Sequence, residues 1–211
     1  MKTTLYLIRH GESLSNVRST ITGISDVPLS ALGHRQAACT AAYLKDTHFD
    51  ALYASDLSRA FETARPIGES HGMTVTPDPL LRELNCGEWE QKTLEEIAQE
   101  FPEQFAVWKE NVGQIDLPGG ESAAEAQTRI VQAVKAIAER HAGQVVGITT
   151  HAMVLRLLIS FILGKTLDEV KNVPFVSNAS VTRVVYENGV FTMEDYGLDK
   201  HLGDLVTRLH F

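Results

Sequence analysis

An apolar run, Leu5-Tyr6-Leu7-Ile8, leads straight into Arg9-His10-Gly11-Glu12, with no turn residue between the hydrophobic stretch and the charged one. A cation and an imidazole placed there make either an ordinary strand terminus or a phosphate site whose histidine does chemistry. A second histidine, His151, follows the apolar stretch 144–150 in the same way. Arg59 stands in Ser-Asp-Leu-Ser-Arg-Ala, Glu83 in Leu-Arg-Glu-Leu, and Asn16 six places after His10. Two guanidinium groups supply forked donors that match phosphoryl oxygens. Asn16 adds a neutral donor, and backbone N–H groups near Gly11 or Ala152 add more.

Taken singly, each residue has a plainer role. A histidine at a strand end is commonly a hydrogen-bonded structural residue. Arg9 and Arg59 fit surface ion pairs, Glu83 fits a partner for Arg82 or Arg59, Asn16 fits a turn or helix cap, and Gly11 fits a turn. Their placement together decides between the readings, so the elements that carry them matter.

Residues 3–9 and 50–55 read as strands, 73–77 as a short third strand, and 144–150 as a continuous apolar strand of the kind buried on both faces. Helical patterns follow Pro28 and Ser30, cover 57–72 with a kink expected at Pro66, and run from 121 to 141 as the longest helix. Residues 10–29 read as a polar loop, and 93–112 as two short helices broken near Pro102. The apolar segment 152–163 reads as a core helix, too short to span a bilayer and carrying Arg156. Residues 179–187 and 190–196 flank Asn188-Gly189, the strongest hairpin signal in the chain. Strands alternating with helices predict a three-layer α/β/α fold: a mostly parallel sheet with one antiparallel C-terminal hairpin. In such sheets ligands bind beyond the carboxyl ends of the strands. His10, Arg59, Glu83 and His151 all follow strands at that edge, whereas His34, His48, His71, His141, His201 and His210 fall in helices, helix ends or the tail.

Composition narrows the partners. The chain has 211 residues, 44% of them apolar and 22% charged, enough for one sizeable core. A formal charge of −8 argues against nucleic acid or an anionic membrane as the main partner. Cys39 and Cys86 show neither CxxC spacing nor a disulfide framework, and the N-terminus does not resemble a signal peptide, so a reduced cytoplasm is expected. His10-x-Glu12 has the spacing of a zinc deaminase motif without its Pro-Cys-x-x-Cys, HExxH and GxxxxGK[ST] are absent, and no acidic cluster suits Mg²⁺ or Ca²⁺. Chemistry without a metal or cofactor is favoured. A unit charge pair at ~4 Å is worth ~4 kcal/mol at an effective dielectric near 20, while charges beyond ~8 Å are screened at physiological salt. A local cationic pocket can therefore hold a phosphate dianion in an acidic protein.

The ordered set L-I-R-H-G-E-S, S-D-L-S-R-A, L-R-E-L-x-x-G-x-W-E, P-G-G-E-S and T-H resembles the histidine phosphatase superfamily, also called the phosphoglycerate-mutase-like family, from Leu5 to about Tyr186. The resemblance implies phosphoryl transfer through a phosphohistidine on a single domain, 1–211, with 88–120 as a helical lid insertion. It makes His10 the nucleophile and Glu83 the proton donor and acceptor. Arg9, Asn16, Arg59 and His151 would hold the phosphoryl oxygens, and Thr22, Gly23 and Ala152 would line the substrate pocket. Nearby Arg9 and Arg59 should keep His10 neutral and nucleophilic. Bound phosphate favours the neutral acid form of Glu83. Ala152 departs from the family, which usually has glycine after the second histidine; the change matters if the position needs positive φ.

Within the family, the lid segment holds only Lys92 and Lys109 as cations and lacks the Arg-Arg pair of the mutases, which favours a phosphatase of small phosphomonoesters over a cofactor-dependent phosphoglycerate mutase. LRELNCGEWE and LPGGES look like the small phosphatase branch, which includes broad-specificity and α-ribazole phosphatases. Retention of both His10 and Glu83 speaks against a phospho-ligand binding module without turnover. Glu90, Glu95 and Glu96 would disfavour a highly anionic substrate if they face the pocket. Phe101, Phe105 and Trp108 either contact an apolar leaving group or pack the lid helices. These patterns specify neither the particular ester, nor the oligomeric state, nor the role of the tail HLGDLVTRLHF.

Overall fold

Alternation along β1 (Thr3–Arg9) decides the layering in the computed structural model, which describes residues 1–207. Leu5 and Leu7 enter one hydrophobic cluster, and Tyr6 and Ile8 pack on the opposite face. β4 (Val145–Thr150) repeats the pattern in register, with Leu5 opposite Val146 and Leu7 opposite Ile148. The larger cluster packs this face against α6 (Ala123–Arg140), through Ile130, Val134 and Ile137, and against α7 (Ala152–Ile162), through Val154 and Leu158. On the other face Ala41 and Leu44 of α2 (Ala31–Leu44) and Ala64 and Ile67 of α3 (Ser58–His71) cover Ile8, with Leu52 and Ala54 of β2 (Ala51–Ala54). Helices on both faces of one sheet give the expected three layers.

The six strands run in the order β3-β2-β4-β1-β5-β6, with β3 at Val75–Pro77, β5 at Val181–Glu187 and β6 at Val190–Leu198. β3, β2, β4 and β1 are parallel; β5 lies antiparallel to β1, and β6 antiparallel to β5. The sheet is mixed and mostly parallel, closed by the C-terminal hairpin. Asn188 and Gly189 both have positive φ, 52° and 85°, as a two-residue hairpin turn of matching twist requires.

One sequence expectation changes. Residues 10–29 are not entirely loop: α1 (Leu14–Arg18) forms there, held by a reciprocal cap between Ser13 and Asn16. Five residues offer no apolar periodicity to read. α3 continues past Pro66 to His71 as a single helix. The 88–120 segment contains α4 (Leu94–Glu100) and α5 (Pro102–Asn111), separated at Phe101 as Pro102 predicts. Among the described residues no helix is long and apolar enough to cross a membrane. His210 and the end of the tail lie outside the described residues.

The first turn of α2 sits directly against the segment after His10. A Cβ built on Gly33 would meet the Glu12 carbonyl oxygen at 2.0 Å, a backbone atom that cannot rotate away. Gly33→Ala should therefore destabilise the fold by about 1–3 kcal/mol, the usual range for overpacking. Thermal unfolding would register this as a fall of several degrees in Tm; an unchanged Tm would show that α2 shifts freely.

Candidate active site

Strand register brings the two histidines together. Arg9 pairs with Thr150 at the carboxyl ends of the adjacent central strands, so His10 and His151 are the next residues out. The His10 N–H donates to the Thr150 carbonyl at 3.0 Å. Their rings meet edge to face, with centroids 5.1 Å apart.

The His10 ring is buried, and its Nδ1 lies 2.6 Å from the Gly11 carbonyl oxygen. A carbonyl only accepts, so Nδ1 carries the proton and a neutral ring keeps its lone pair on Nε2. Burial, followed by the positive charges of Arg59 and Arg9, holds His10 well below its ordinary pKa. The imidazole is neutral, oriented and nucleophilic at Nε2. His151 is likewise pushed well down, first by burial and then by Arg59 and His10. Neither of its ring nitrogens has a hydrogen-bond partner among the described residues. Buried polar atoms left without partners suit a polar ligand.

Arg9 and Arg59 are both 1% exposed. Arg9 Nη1 donates to the Val176 carbonyl at 2.5 Å, while its Nε has no partner among the described residues. Burial lowers Arg9 to about 10, opposed by Glu83, so it stays charged at neutral pH. Arg59 donates from Nη1 to Ser25 O at 2.9 Å and from Nη2 to Gly23 O at 2.6 Å. These carbonyl contacts leave N–H groups on each guanidinium for an oxyanion.

Glu83 reaches the start of α7. Its Oε1 accepts from the N–H groups of Leu84 at 2.9 Å and Val154 at 3.0 Å, and its Oε2 accepts from Met153 at 3.0 Å. The segment that carries it is clamped by Arg129 of α6, which donates to the carbonyls of Leu80, Arg82 and Glu83 while paired with Glu121. Glu121 also accepts from the Asn85 N–H, which explains the PGGES segment structurally. Arg82, the sequence neighbour, pairs with Asp56 instead. Three of the backbone donors expected near Gly11 and Ala152 are thus already engaged: the Met153 and Val154 amides at the α7 N-terminus hold Glu83, and the Gly11 N–H donates to Thr63 Oγ1 at 2.9 Å.

Arg9, His10, Asn16, Thr22, Arg59, Glu83 and Ala152 face one cavity of about 430 Å³, with His151 buried against His10. Asn16 is both a cap and a donor: its Oδ1 accepts from Ser13 N–H and Oγ, which leaves Nδ2 to donate. Ala152 takes a helical backbone as the first residue of α7, so no positive φ is required there. Gly23 differs from expectation. It does not line the cavity, because its carbonyl accepts from Arg59 and its N–H donates to Glu90. Glu90, Glu95 and Glu96 do not line it either, so none of the three carboxylates faces the cavity directly. Of the three aromatics Phe101, Phe105 and Trp108 only Trp108 lines the cavity; Phe101 packs near Trp89 and Phe105 stacks on Trp108, centroids 5.9 Å apart.

Sequence reasoning missed Asn178. Its Nδ2 donates to the His10 carbonyl at 3.1 Å and lies 3.4 Å from Asn16 Oδ1, and its own N–H donates to the Thr207 carbonyl. Because β5 is antiparallel to β1, the residues before β5 lie at the same sheet edge as those after β1. The antiparallel pairing was the signal, and hairpin spacing alone does not reveal it. Thr207 also lines the cavity, which gives the preceding part of the tail a place in its wall.

The model of the histidine phosphatase superfamily (branch 1) matches residues 5–199. Phosphoserine phosphatase 1 of Hydrogenobacter thermophilus is 29% identical over 206 residues, covering 98% of this chain and 97% of its own. The probable phosphoglycerate mutase GpmB of Yersinia pestis is 34% identical over 186 residues, 87% of this chain and 85% of its own. Among solved structures, YhfR of Bacillus stearothermophilus superposes with a TM-score of 0.91 at 34% identity, covering 95% of this chain and 99% of that one.

Histidines held neutral by the fold make stability depend on pH in a defined direction. Below the ordinary histidine value of 6.5 the unfolded chain binds protons at His10 and His151 that the native state refuses. Their contribution is therefore complete above about pH 6.5 and is lost as pH falls toward the lowered native values, by at most about 1.4 kcal/mol per pH unit for each ring. Urea unfolding of wild type, His10→Asn and His151→Phe between about pH 7.5 and 5 should show a shallower acid decline in each variant. Equal slopes in all three would refute the buried neutral state.

Proposed function

The chain belongs to the histidine phosphatase superfamily, and on that premise we propose that this phosphatase is a metal-independent phosphomonoesterase working through a phosphohistidine on small esters in the cytoplasm. The observation that carries the mechanism is one cavity holding a tautomer-fixed, neutral imidazole, two buried guanidinium groups and a carboxylate.

His10 Nε2 attacks phosphorus in line, forming the N–P bond as the ester O–P bond breaks. Arg9, Arg59, His151 and Asn16 hold the equatorial oxygens. Glu83, protonated in the substrate complex, gives its proton to the departing alkoxide. In the second half Glu83 takes a proton from water, the hydroxide oxygen bonds to phosphorus, the N–P bond breaks, and phosphate leaves with His10 neutral again. Phosphate monoesters are among the slowest bonds to hydrolyse unaided, with enzymatic accelerations up to ~10²¹-fold. A single electrostatic donor supplies roughly 3–4 kcal/mol, so several acting together are required.

The far side of the cavity favours an apolar alcohol. Trp89, Leu94, Trp108, Val112 and Leu117 of the 88–120 segment form its wall together with Phe175, and that segment serves as the lid. Among the described residues lining the cavity, Arg9 and Arg59 are the cations. Phosphoglycerate mutase, the alternative, must also grip a carboxylate, and no further lysine or arginine lines the wall to do so. α-Ribazole phosphatase is a special case of the favoured reading.

Assayed with p-nitrophenyl phosphate in EDTA, wild type should be active and His10→Ala inactive, and an acid-labile phosphoenzyme should form on His10 alone. Glu83→Gln should slow alkyl phosphates by ~10²–10⁴-fold, and p-nitrophenyl phosphate less, because its leaving group departs readily as an anion. Trp108→Ala should raise KM for aryl esters more than for small alkyl ones. Full activity in His10→Ala would reject the mechanism, and efficient interconversion of 2- and 3-phosphoglycerate would restore the mutase.

A further inference from the structure

Glu90 takes no part in that mechanism and does not line the cavity, yet its carboxylate is unusually well held. It accepts from the backbone N–H groups of Gly23 (3.1 Å to each oxygen), Ile24 (2.8 Å to Oε1), Ser25 (3.2 Å to Oε2) and Cys86 (3.1 Å to Oε1). Three successive amides directed at one anion make a nest, the kind of concavity that otherwise binds phosphate. Here the protein fills it with its own side chain.

The same loop presents its other polar face to the site. The carbonyls of Gly23 and Ser25 are the two acceptors that hold the Arg59 guanidinium. Among the described residues no carboxylate lies within ion-pair distance of Arg59, so its orientation rests on those carbonyls. A direct ion pair would consume N–H groups that the phosphate needs. Set one peptide layer back, Glu90 orients the loop and still acts on Arg59 through space: burial lowers the Arg59 pKa, and Glu83 and Glu90 oppose it. The fit at Gly23 is tight, since a Cβ there would meet the Leu84 carbonyl oxygen at 2.1 Å and Glu90 Oε1 at 2.5 Å.

We propose that Glu90 is a positioning residue for Arg59: by gathering the amides of residues 23–25 it fixes the two carbonyls that aim the guanidinium at the transferring phosphoryl group. The proposal rests on the phosphomonoesterase reading above. It predicts that Glu90 matters to oxyanion binding only through Arg59, whereas a residue that merely staples the loop would affect folding and leave the two side chains uncoupled.

A double-mutant cycle on the full chain tests this. Glu90→Gln keeps the shape but removes the charge and one acceptor; Glu90→Asp keeps the charge but shortens the reach. In wild type each should weaken inhibition by orthovanadate roughly 10-fold and lower kcat/KM for p-nitrophenyl phosphate by a similar factor, less than the ~10²–10³-fold expected for deleting a direct donor such as Arg59. In an Arg59→Ala background the same changes should have no further effect on vanadate affinity. Independent, multiplying losses would overturn the proposal, as would unchanged vanadate affinity in both Glu90 variants. Failure of both to fold would assign Glu90 to stability and overturn it equally. A folded wild type that neither hydrolyses the ester nor binds vanadate would instead defeat the parent reading, and is distinguishable from all of these.

Discussion

Two guanidinium groups buried beside two imidazoles impose the constraint to which the surrounding structure answers. An isolated cation taken out of water is expensive, and proteins compensate by pairing or by hydrogen bonding. Here direct pairing would defeat the purpose, because a carboxylate bonded to either arginine would occupy the donors a phosphate must use. The chain uses carbonyl oxygens instead: Val176 for Arg9, Gly23 and Ser25 for Arg59. Negative charge stays nearby but not in contact, at Glu83 and Glu90, both of which favour the charged form of Arg59. The balance leaves the arginines charged and the histidines neutral in the same small volume.

Glu83 obeys the complementary logic. The N-terminus of α7 looks like a phosphate cradle, since free amides and the helix dipole both favour an anion. Two of those amides are engaged by the Glu83 carboxylate. The helix end therefore anchors Glu83, the proposed proton-transfer group, while Arg129 fixes the segment behind it through three carbonyls. In the proposed reaction phosphate recognition falls mainly to side chains, whose donors can follow charge as it shifts from the ester to the departing oxygen.

Much of this was legible in the sequence because it depends on period and position. Alternation and continuous apolar runs marked β1, β2 and β4, the 3.6-residue pattern of Ile130, Val134 and Ile137 marked α6, and Asn188-Gly189 marked the hairpin. The positions of His10, Arg59, Glu83 and His151 after strands placed them at one sheet edge. What escaped depends on pairing between distant segments. Asn178 reaches His10 only because β5 runs antiparallel to β1. Glu90 turns toward residues 23–25 rather than the ligand, and Gly23 carries Arg59 instead of lining the cavity. α1, at five residues, rests on a reciprocal cap rather than an apolar face. Phe101 and Phe105 share helical spacing with Trp108 and pack on the same hydrophobic cluster, so spacing alone does not separate packing from lining.

The cavity is consequently divided in function. The end proposed to hold the phosphate is built from strand termini and the helices α1 and α3 and is cross-braced, so little in it can vary without moving a charge. The end proposed to take the alcohol comes from the 88–120 segment and Phe175, whose side chains contribute mainly area, with the indole N–H of Trp89 left without a partner among the described residues. Apolar contact is worth roughly 25 cal/mol per Å² and is tolerant of shape, whereas a missing hydrogen-bond partner in a dry site costs ~1–3 kcal/mol. The proposal therefore expects discrimination to be steep at the phosphate and shallow at the alcohol. On the phosphomonoesterase proposal, a carboxylated or multiply charged leaving group would lose its water against that wall without gaining a cation, so the proposal expects selectivity on that side to exclude charge and to admit a range of apolar alcohols.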